Sequence, residues 1–379
     1  MDILMLNPFF YPYLGGTERH VIEVGKRLAK RHRVTVLTAR LENTPEREDV
    51  EGINVVRTPA KIYWKAPHPI PPPYPVIKGL AQYIKVELAH ADAAHIHNRF
   101  IYGPAEGKIV KQAGKKLFLT LHNSRTVGID WSTDFFGGLY DDFFAKPLMN
   151  MCDGVMGVSK NTLDITLPHG CPAKTAVVYN GIDEKFFVPG KQDSEWKEYF
   201  EMNELKRKKV LTNARLLEQK GLKYLVSAMR GIDADLIIVG RGPLHNKLAM
   251  QAKILGVKAH FITERMTDVR LAALYKSVDA FVLPSLYEPC GIAILEAMGC
   301  GVPSIGSRIG GIQEIIKDGK SGILVRPHSS EDISHALNSV LFDKGVAKRL
   351  SIGARKRVLE KFTWDIVAKK VERFYKEVV

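Results

Sequence analysis

The sequence contains little cysteine and no long hydrophobic run. Among its 379 residues are four cysteines, which form no C-x-x-C pair and have no histidine at zinc-ligand spacing. No window reaches the roughly 18 apolar residues of a membrane-spanning helix, and the first residues lack the basic and apolar segments of a signal peptide. We therefore expect a reduced, cytoplasmic protein that is at most peripheral at the inner membrane face.

Acidic residues are outnumbered by basic ones. Lysine and arginine total 55 against 41 aspartates and glutamates, a net charge of +14, which favours an anionic partner such as a phosphorylated metabolite, nucleic acid or acidic membrane. The densest basic cluster is KRKK at 206–209, which lies in a polar stretch and is interpreted as a solvated linker. Long basic tracts with interleaved aromatics are missing, so a nucleic-acid-binding protein is the remoter alternative.

Short runs of Val, Ile and Leu alternate with amphipathic segments, a pattern typical of βαβ units with a mostly parallel sheet. The pattern occurs twice, and a chain of this length favours two domains. In the first series the predicted strands are 2–6, 34–38, 93–97, 117–122, 154–159 and 176–180. In the second series they are 210–214, 235–240, 259–263, 280–284, 302–306 and 322–326.

The predicted organisation is a first domain at 1–188, a linker at 189–209 and a second domain at 210–362. The last segment, 363–379, is predicted to be a helix with one apolar face. In open α/β domains ligands bind where the strands end, so a crevice between the two domains is the expected site. The proline-rich stretch 63–80 fits no regular element and is expected to be an extended surface loop.

The stretch "PSLYEPCGIAILEAMGCGVP" at 284–303 contains two glutamates that suggest a ligand site. Glu288 precedes a Pro-Cys-Gly turn, and Glu296 falls inside an apolar helical run, where a charge is costly to bury without a partner. A helix starting near Gly291 would offer unpaired backbone N–H groups to a phosphate. Both glutamates could then bind hydroxyl groups on either side of that phosphate.

These residues resemble the E-x7-E signature of retaining glycosyltransferases of the GT4 type. Further motifs of that family follow in the same order: YLGGTERHV (13–21), His122 at a strand end, YNGID (179–183), ARLLEQKG (214–221) and GRGP (240–243). The resemblance implies the α/β fold called GT-B, with two Rossmann-like, doubly wound parallel-sheet domains facing across a cleft. It also implies that the C-terminal helix crosses back to the first domain.

The resemblance implies a role for each matching residue of the second domain. Arg215 and Lys220 would neutralise the pyrophosphate of a nucleotide-sugar donor and stabilise the departing diphosphate. Glu288 would contact the transferred sugar and Glu296 the ribose hydroxyls. The backbone at Gly291, Ile292 and Ala293 would hold the phosphates.

In the first domain, the resemblance places His122 against the donor sugar. Gly15 and Gly16, ahead of a helix that we expect Thr17 to cap, would let the backbone approach the sugar-phosphate and the acceptor. The three residues that follow, 18–20, are close to that site but receive no role.

Each of these residues also has a purely structural interpretation. The glutamates could be a helix N-terminal charge and a core salt bridge, Arg215 and Lys220 surface charges, and His122 a satisfied strand-end histidine. Asp233-Ala-Asp235 spells a D-x-D metal motif but lies at the wrong end of its strand. His95 and His97 share a strand face, yet lack a third ligand nearby, so no metal site is predicted.

The resulting hypothesis is transfer of a hexosyl group, with retention, from a nucleotide diphosphate sugar to a glycan, lipid-linked or small-molecule hydroxyl. No cofactor and no obligatory metal are expected. A sugar-nucleotide epimerase or a phosphorylase on the same frame is the alternative. The basic charge and the 63–80 stretch add a hypothesis of peripheral contact with anionic membrane. Residues 261–268 lack the glycine usual in the family, so the nucleotide base stays open.

Overall fold

The computed structural model describes residues 1–64, 73–125 and 131–379. Contacts divide the chain into two units. The first consists of Met1–Asn180 together with Trp364–Val379, and the second is Gly181–Thr363.

The strands of both units are short and mostly buried, as expected for parallel sheets covered by helices. They are β1 (Asp2–Leu6), β2 (Arg33–Ala39), β3 (Arg47–Val50), β4 (Ile53–Thr58), β5 (Ala60–Tyr63), β6 (Tyr74–Ile77), β7 (Ala93–Ile96), β8 (Lys116–Leu121), β9 (Gly154–Gly157), β10 (Lys174–Val177), β11 (Lys208–Asn213), β12 (Ala234–Val239), β13 (Ala259–Ile262), β14 (Ala280–Leu283), β15 (Ser304–Ser307) and β16 (Ile323–Val325). All twelve strands predicted from the sequence are confirmed, with ends that shift by at most three residues, whereas β3, β4, β5 and β6 were not predicted.

Helices separate most of the strands in βαβ order, whereas β2, β3, β4 and β5 follow one another with no helix between them. They are α1 (Gly16–Leu28), α2 (Leu80–Leu88), α3 (Pro104–Gln112), α4 (Trp131–Tyr140), α5 (Lys146–Met151), α6 (Lys160–Thr166), α7 (Ser194–Met202), α8 (Leu222–Ala228), α9 (His245–Ile254), α10 (Asp268–Lys276), α11 (Ile292–Gly299), α12 (Ile312–Ile315), α13 (Ser330–Phe342), α14 (Lys344–Lys361) and α15 (Trp364–Val378). A π-helical turn (Asp141–Ala145) joins α4 to α5, and a 3-10 turn (Glu218–Lys220) precedes α8.

The first unit is built on an eight-stranded sheet in the order β10-β9-β8-β7-β1-β2-β4-β3. All neighbours in it are parallel except β3 and β4. The strand order reverses between β1 and β7, which makes the carboxyl ends of these two strands the topological switch point where ligands bind in such sheets.

The second unit contains a six-stranded, fully parallel sheet in the order β13-β12-β11-β14-β15-β16. Counted from β11, this is the 3-2-1-4-5-6 order of a Rossmann fold. Its switch point lies between β11 and β14, so the loops that follow these two strands are the expected ligand loops.

The last helix, α15, belongs to the first unit. Its buried side chains pack into the core formed by β1, β2 and α1. They are Trp364, Val367, Val371, Phe374 and Tyr375. The apolar face expected for 363–379 is therefore the face that the first unit covers.

Two segments differ from expectation. The stretch 189–209, predicted to be a linker, contains α7, which buries Trp196 and Phe200 and lies within the second unit. The many charged residues of this stretch predict a polar connection, but two buried aromatic residues make it an amphipathic helix. The stretch 63–80 is not a single loop, because β6 pairs with β5 as an antiparallel hairpin and α2 begins at Leu80. Residues 65–72 of that stretch lie outside the described residues.

Candidate functional site

Two loops meet at the switch point of the second unit. One follows β11 and runs through the 3-10 turn to Gly221, and the other follows β14. The backbone N–H groups of Leu286 and Tyr287 donate to the carbonyl oxygen of Gln219 at 2.8 and 3.2 Å. These bonds fix the loops against each other, so residues distant in sequence are held side by side.

An ion pair spans the two loops. Lys220 Nζ lies 2.6 Å from Glu288 Oε2, and the two side chains are only 13% and 12% exposed. At this distance Lys220 donates a charge-assisted hydrogen bond. The lysine and glutamate expected to bind the donor are thus brought together by the strand order of the sheet.

Arg215 lies on the same loop as Lys220, but it is exposed. Within residues 1–64, 73–125 and 131–379, its guanidinium forms no ion pair. The backbone around it is fixed: Leu216 N donates to Arg241 O at 2.8 Å, and a Cβ at Gly240, whose φ is +145°, would lie 2.0 Å from the carbonyl oxygen of Ala214. Gly240 therefore allows the loop after β12 to contact the loop after β11. This contact fixes the backbone on both sides of Arg215.

Helix α11 starts directly behind Glu288. Gly291, at φ +94°, makes the sharp turn into the helix, and its carbonyl accepts from Ile294 N at 3.1 Å. The amides of Ile292 and Ala293 thus precede the first helical hydrogen bond of α11. Amides in this position, with the positive end of the helix dipole, suit a phosphate.

Glu296 is buried inside α11, and the protein itself supplies a partner for it. The Tyr275 hydroxyl lies 3.1 Å from Glu296 Oε2 and 3.3 Å from the carbonyl oxygen of Ala293. Burial and the nearby Glu296 charge hold the pKa of Tyr275 well above its usual value, so this hydroxyl stays a donor. The Tyr275 hydroxyl therefore stabilises the buried carboxylate.

Sequence reasoning missed several residues that shape this site. Gln219 joins the two loops, Tyr275 holds Glu296, and Gly311 N donates to the carbonyl oxygen of Glu288 at 2.9 Å. Gly311 lies in the loop after β15 and is preceded by Gly310. This glycine pair after a predicted strand is a signal that the sequence does show. Gln219 and Tyr275 gave none, because only the folded chain brings them to Glu288 and Glu296.

In the first unit, α1 begins at Gly16 behind β1. The expected Thr17 cap is wrong: Gly15 is the N-cap residue, and Glu18 Oε2 accepts from its backbone N–H at 3.0 Å. Glu18 is buried, and that burial raises its pKa despite the hydrogen bonds it accepts. Its role is therefore to hold the turn that contains Gly15 and Gly16.

Four histidines lie together beside this turn. His95 and His97 come from β7 and its end, His122 follows β8, and His20 lies on α1. Ring centroids of His20 and His122 are 4.9 Å apart, and His97 Nδ1 is 3.3 Å from His122 Nε2. Burial lowers the pKa of each ring, that of His20 to about 4, so the rings are neutral at neutral pH.

Comparison with known proteins identifies the chain. The profile of Glycosyl transferases group 1 matches residues 194–357, and that of Glycosyltransferase Family 4 matches 14–186. An uncharacterized glycosyltransferase of Methanocaldococcus jannaschii is 30% identical, with 99% of this chain and 98% of that protein aligned. The chain belongs to the group 1 glycosyltransferases of family 4.

Two further relatives are informative about this glycosyltransferase. N-acetyl-alpha-D-glucosaminyl L-malate synthase of Bacillus anthracis is 26% identical and aligns over 97% of this chain and 96% of its own length. The solved structure of Anabaena HepE in complex with UDP superposes with a TM-score of 0.77 at 20% identity, over 100% of both chains. The fold of the glycosyltransferase is thus GT-B, as the sequence motifs implied.

The D-x-D pattern of the glycosyltransferase is occupied by a structural contact. Asp235 lies at the start of β12, is buried, and accepts from Arg207 Nη2 at 2.7 Å and Arg207 Nε at 2.9 Å. It therefore lies at the edge of the sheet opposite Lys220 and Glu288. In the described parts of the chain, moreover, no helix combines the length and the apolar character needed to cross a bilayer.

Proposed function

We propose that this glycosyltransferase transfers a hexosyl group from a nucleotide diphosphate sugar to an acceptor hydroxyl with retention, and without an obligatory metal. The observation that supports it best is the Lys220–Glu288 pair held next to the amino end of α11 at a Rossmann switch point. A cation, a hydrogen-bond acceptor and helix amides are the groups that binding of a sugar diphosphate would require, and their proximity supports the proposal.

On this proposal the second unit binds the donor. Arg215, which is exposed, and Lys220, which exchanges Glu288 for phosphate oxygens, neutralise the diphosphate as it leaves. The amides of Ile292 and Ala293 bind phosphate behind the Gly291 turn. The solved complex of Anabaena HepE, which has the same fold, contains UDP and so supports a nucleotide-binding second unit.

Carboxylates and a histidine are the proposed contacts of the sugars. Glu288 accepts from the hydroxyls of the transferred sugar, and Glu296, already oriented by Tyr275, accepts from ribose hydroxyls. His122 is proposed to contact the donor sugar, and the backbone at Gly15 and Gly16 the sugar-phosphate and the acceptor.

Retention without a covalent intermediate is the proposed stereochemical course. A double displacement would need a free carboxylate as nucleophile. On this proposal Glu288 is instead bonded to the hydroxyls of the transferred sugar, and Glu296 is buried and bonded to Tyr275. The acceptor would then attack from the face that the diphosphate leaves, and the departing phosphate oxygen would take the acceptor proton. Positioning and charge stabilisation would supply the rate.

A donor screen tests the proposal. The purified protein is mixed with UDP-, GDP- and ADP-sugars, and thermal shift and slow release of diphosphate are recorded together, with and without EDTA. One donor should raise the melting temperature and be hydrolysed equally well in EDTA, with the α-anomer formed from an α-linked donor. If no donor stabilises the folded protein or releases diphosphate, or if the product has the inverted anomeric configuration, the proposal is contradicted.

The same screen separates the alternative functions. A sugar-nucleotide epimerase would convert the donor with no acceptor and no diphosphate release. A phosphorylase would require inorganic phosphate as the acceptor. The glycosyltransferase should instead consume donor faster when a hydroxyl acceptor is added.

Peripheral membrane contact, with a lipid-linked acceptor, belongs to the proposal. An exposed aromatic set along α4 and the π-helical turn supports it, together with the net charge of +14. Its members are Trp131, Phe135, Phe136, Phe143 and Phe144. We expect the protein to sediment with anionic vesicles at low salt, and the W131S/F143S double variant to lose at least half of that binding. The control I254S changes an exposed side chain of the second unit; equal loss in the control, or no binding by the wild type, would contradict membrane contact.

A further inference from the structure

Three of the four histidines that lie beside the turn of Gly15 and Gly16 have the geometry of a metal site. We call His20, His97 and His122 the histidine cluster. One ring nitrogen of each residue lies within 4.8 Å of the nitrogens of the other two. The sequence suggested only His95 and His97, which lacked a third ligand. The fold supplies it, because α1 places His20 against the ends of β7 and β8.

The tautomer of His20 is fixed by Asn180. Asn180 Oδ1 lies 2.8 Å from His20 Nδ1, so as an acceptor it takes the Nδ1–H and leaves the lone pair on Nε2. Within the described residues, His20 Nε2 is buried and has no hydrogen-bond partner. A buried acceptor nitrogen without a donor costs free energy, and an imidazole whose other N–H is held by a carbonyl oxygen is the usual form of a metal ligand.

The spacing of the other two rings agrees. His97 Nδ1 and His122 Nε2 are 3.3 Å apart, about the separation of two nitrogens on a tetrahedral zinc with bonds of ~2.0–2.1 Å. His95 is different, because its two nitrogens contact Tyr375 Oη at 2.5 Å and Thr120 Oγ1 at 2.7 Å.

We propose that the histidine cluster binds a divalent transition-metal ion of the zinc class through three imidazole nitrogens. Modest ring rotations would close the third distance, and a water or an anion would complete a tetrahedral shell. His122 is only half-buried, so it offers the ion a way in. Asn180, which orients His20, is a positioning residue for this site.

Metal binding has a consequence for catalysis, and this part rests on the proposed function. If His122 contacts the donor sugar, an ion that engages its ring removes it from that contact. The ion would therefore inhibit transfer. The site is a regulatory one and not a source of catalytic chemistry.

Calorimetric titration of the untagged protein with Zn²⁺, after treatment with a chelator, tests the site. The wild type should bind one ion, and H20N and H97N should each bind it at least tenfold more weakly. H335Q is the matched control, because His335 is exposed on α13 of the second unit. Thermal melting of each variant without metal shows that it is folded. A wild type that binds no better than H20N and H97N would overturn the proposal.

Asn180→Ala provides a variant that keeps all three ligands. Loss of the hydrogen bond to a ligating histidine should weaken Zn²⁺ binding about 10–100-fold. The Co²⁺-loaded variant should still show the intense visible bands of tetrahedral nitrogen coordination. Unchanged affinity in N180A, or octahedral Co²⁺ spectra in the wild type, would contradict the assigned geometry.

Activity gives a separate readout. Zn²⁺ should inhibit sugar transfer by the wild type, EDTA should restore it, and H20N should resist inhibition relative to its own metal-free rate. Zinc that binds tightly without inhibiting would refute only the catalytic role of His122 and leave the site standing. Failure of calorimetry would refute the site and leave the proposed transfer reaction untouched.

Discussion

At the scale of single residues, Lys220, Glu288 and Arg215 differ in what balances their charge. Lys220 and Glu288 neutralise each other in a largely buried pair, and Arg215 extends into solvent. A partly desolvated pair of this kind holds both groups in place. A ligand that replaces Glu288 beside Lys220 must therefore also donate hydrogen bonds to the Glu288 carboxylate, as the hydroxyls of a sugar would. The ion pair therefore holds the Lys220 side chain in a position where it can bind an anionic ligand.

Replacing Lys220 by alanine should reduce turnover at least tenfold, equivalent to about 1.4 kcal/mol of transition-state stabilisation. The charge that balances the leaving diphosphate is then lost. Steady-state kinetics with the donor found in the screen measure the effect. Lys223→Ala is the control, since this lysine is 44% exposed and lies 3.6 Å from Glu218. Equal losses in both variants, or unchanged turnover in K220A, would remove Lys220 from the mechanism.

Replacing Tyr275 by phenylalanine should lower the free energy of unfolding by about 1.5–3 kcal/mol, the range for hydrogen bonds to charged groups. The buried Glu296 carboxylate then loses the hydroxyl 3.1 Å away. Denaturant unfolding measures the change. Tyr224→Phe removes a surface hydroxyl that contacts His328 and should stay within about 0.5 kcal/mol. Equal stability of Y275F and wild type would show that Glu296 is stabilised by other groups.

At the scale of elements, a buried carboxylate ties the last helix to the first unit. Glu372 of α15 is paired with Arg31 at 2.5 Å, Lys376 at 2.9 Å and His32 at 3.1 Å. Arg31 and His32 lie in the turn between α1 and β2. The hydrogen bond from Lys376, with those from His32 and the charge of Arg31, holds the pKa of Glu372 below its usual 4.5.

Glu372→Gln should therefore destabilise the protein at pH 7 by about 1 kcal/mol, a modest value because Arg31 and Lys376 reach into solvent and are screened. The unfolded state binds the proton more readily than the folded state, so this stability is present above pH 4.5 and is lost as the pH falls through the folded-state pKa. Denaturant unfolding of wild type and variant at several pH values measures the difference in their free energies of unfolding, which should shrink as the pH falls. A gap that persists at low pH, or one of equal size in the exposed E377Q control, would contradict this account.

At the scale of the whole molecule, the two units are unequal in their dependence on the chain ends. The second unit is one continuous segment, Gly181–Thr363, with its own sheet and core. The first unit is discontinuous, because α15 supplies five buried side chains to the core around β1 and α1. Removal of these large side chains would leave cavities in the core, and their free-energy cost would exceed the net stability of a typical domain.

Residues 181–363 expressed alone should fold cooperatively, and residues 1–180 alone should not. Joining 364–379 to 1–180 through a flexible linker should restore a cooperative melt. Circular dichroism with thermal unfolding measures all three fragments. A stable fragment 1–180, or a rescue by the same linker carrying a scrambled helix, would show that α15 is dispensable.

The basic cluster at 206–209 shows how net charge is distributed at this scale. Arg207 pairs with Asp235, and Lys208 Nζ lies 2.7 Å from Asp279 Oδ1. Part of the densest basic run is thus neutralised within the second unit. The +14 charge of the sequence is therefore a property of the whole surface and gives no support to a nucleic-acid groove at this cluster.

The sequence by itself determined twelve of the sixteen strands in the described residues, the alternation of most of them with helices, and the family. Alternation of apolar runs with amphipathic segments depends on local periodicity, which the sequence displays directly. The resemblance to the family grouped Lys220, Glu288, Gly291 and Glu296 into one predicted ligand site. In the structure all four follow β11 or β14, the two strands that flank the switch point. The helix α7 escaped notice since its two buried aromatics stand among charged residues.

Only the tertiary structure decided the partners of these residues. Glu296 meets Tyr275, and His20 meets Asn180, 160 positions away, through contacts that carry no local signal. The histidine cluster likewise gathers one residue from a helix and two from strand ends. Side-chain neighbours across a parallel sheet are fixed by strand order and helix packing, which act between distant parts of the chain. The proximity of His20, His97 and His122 therefore could not be predicted from the sequence and is seen only in the folded chain.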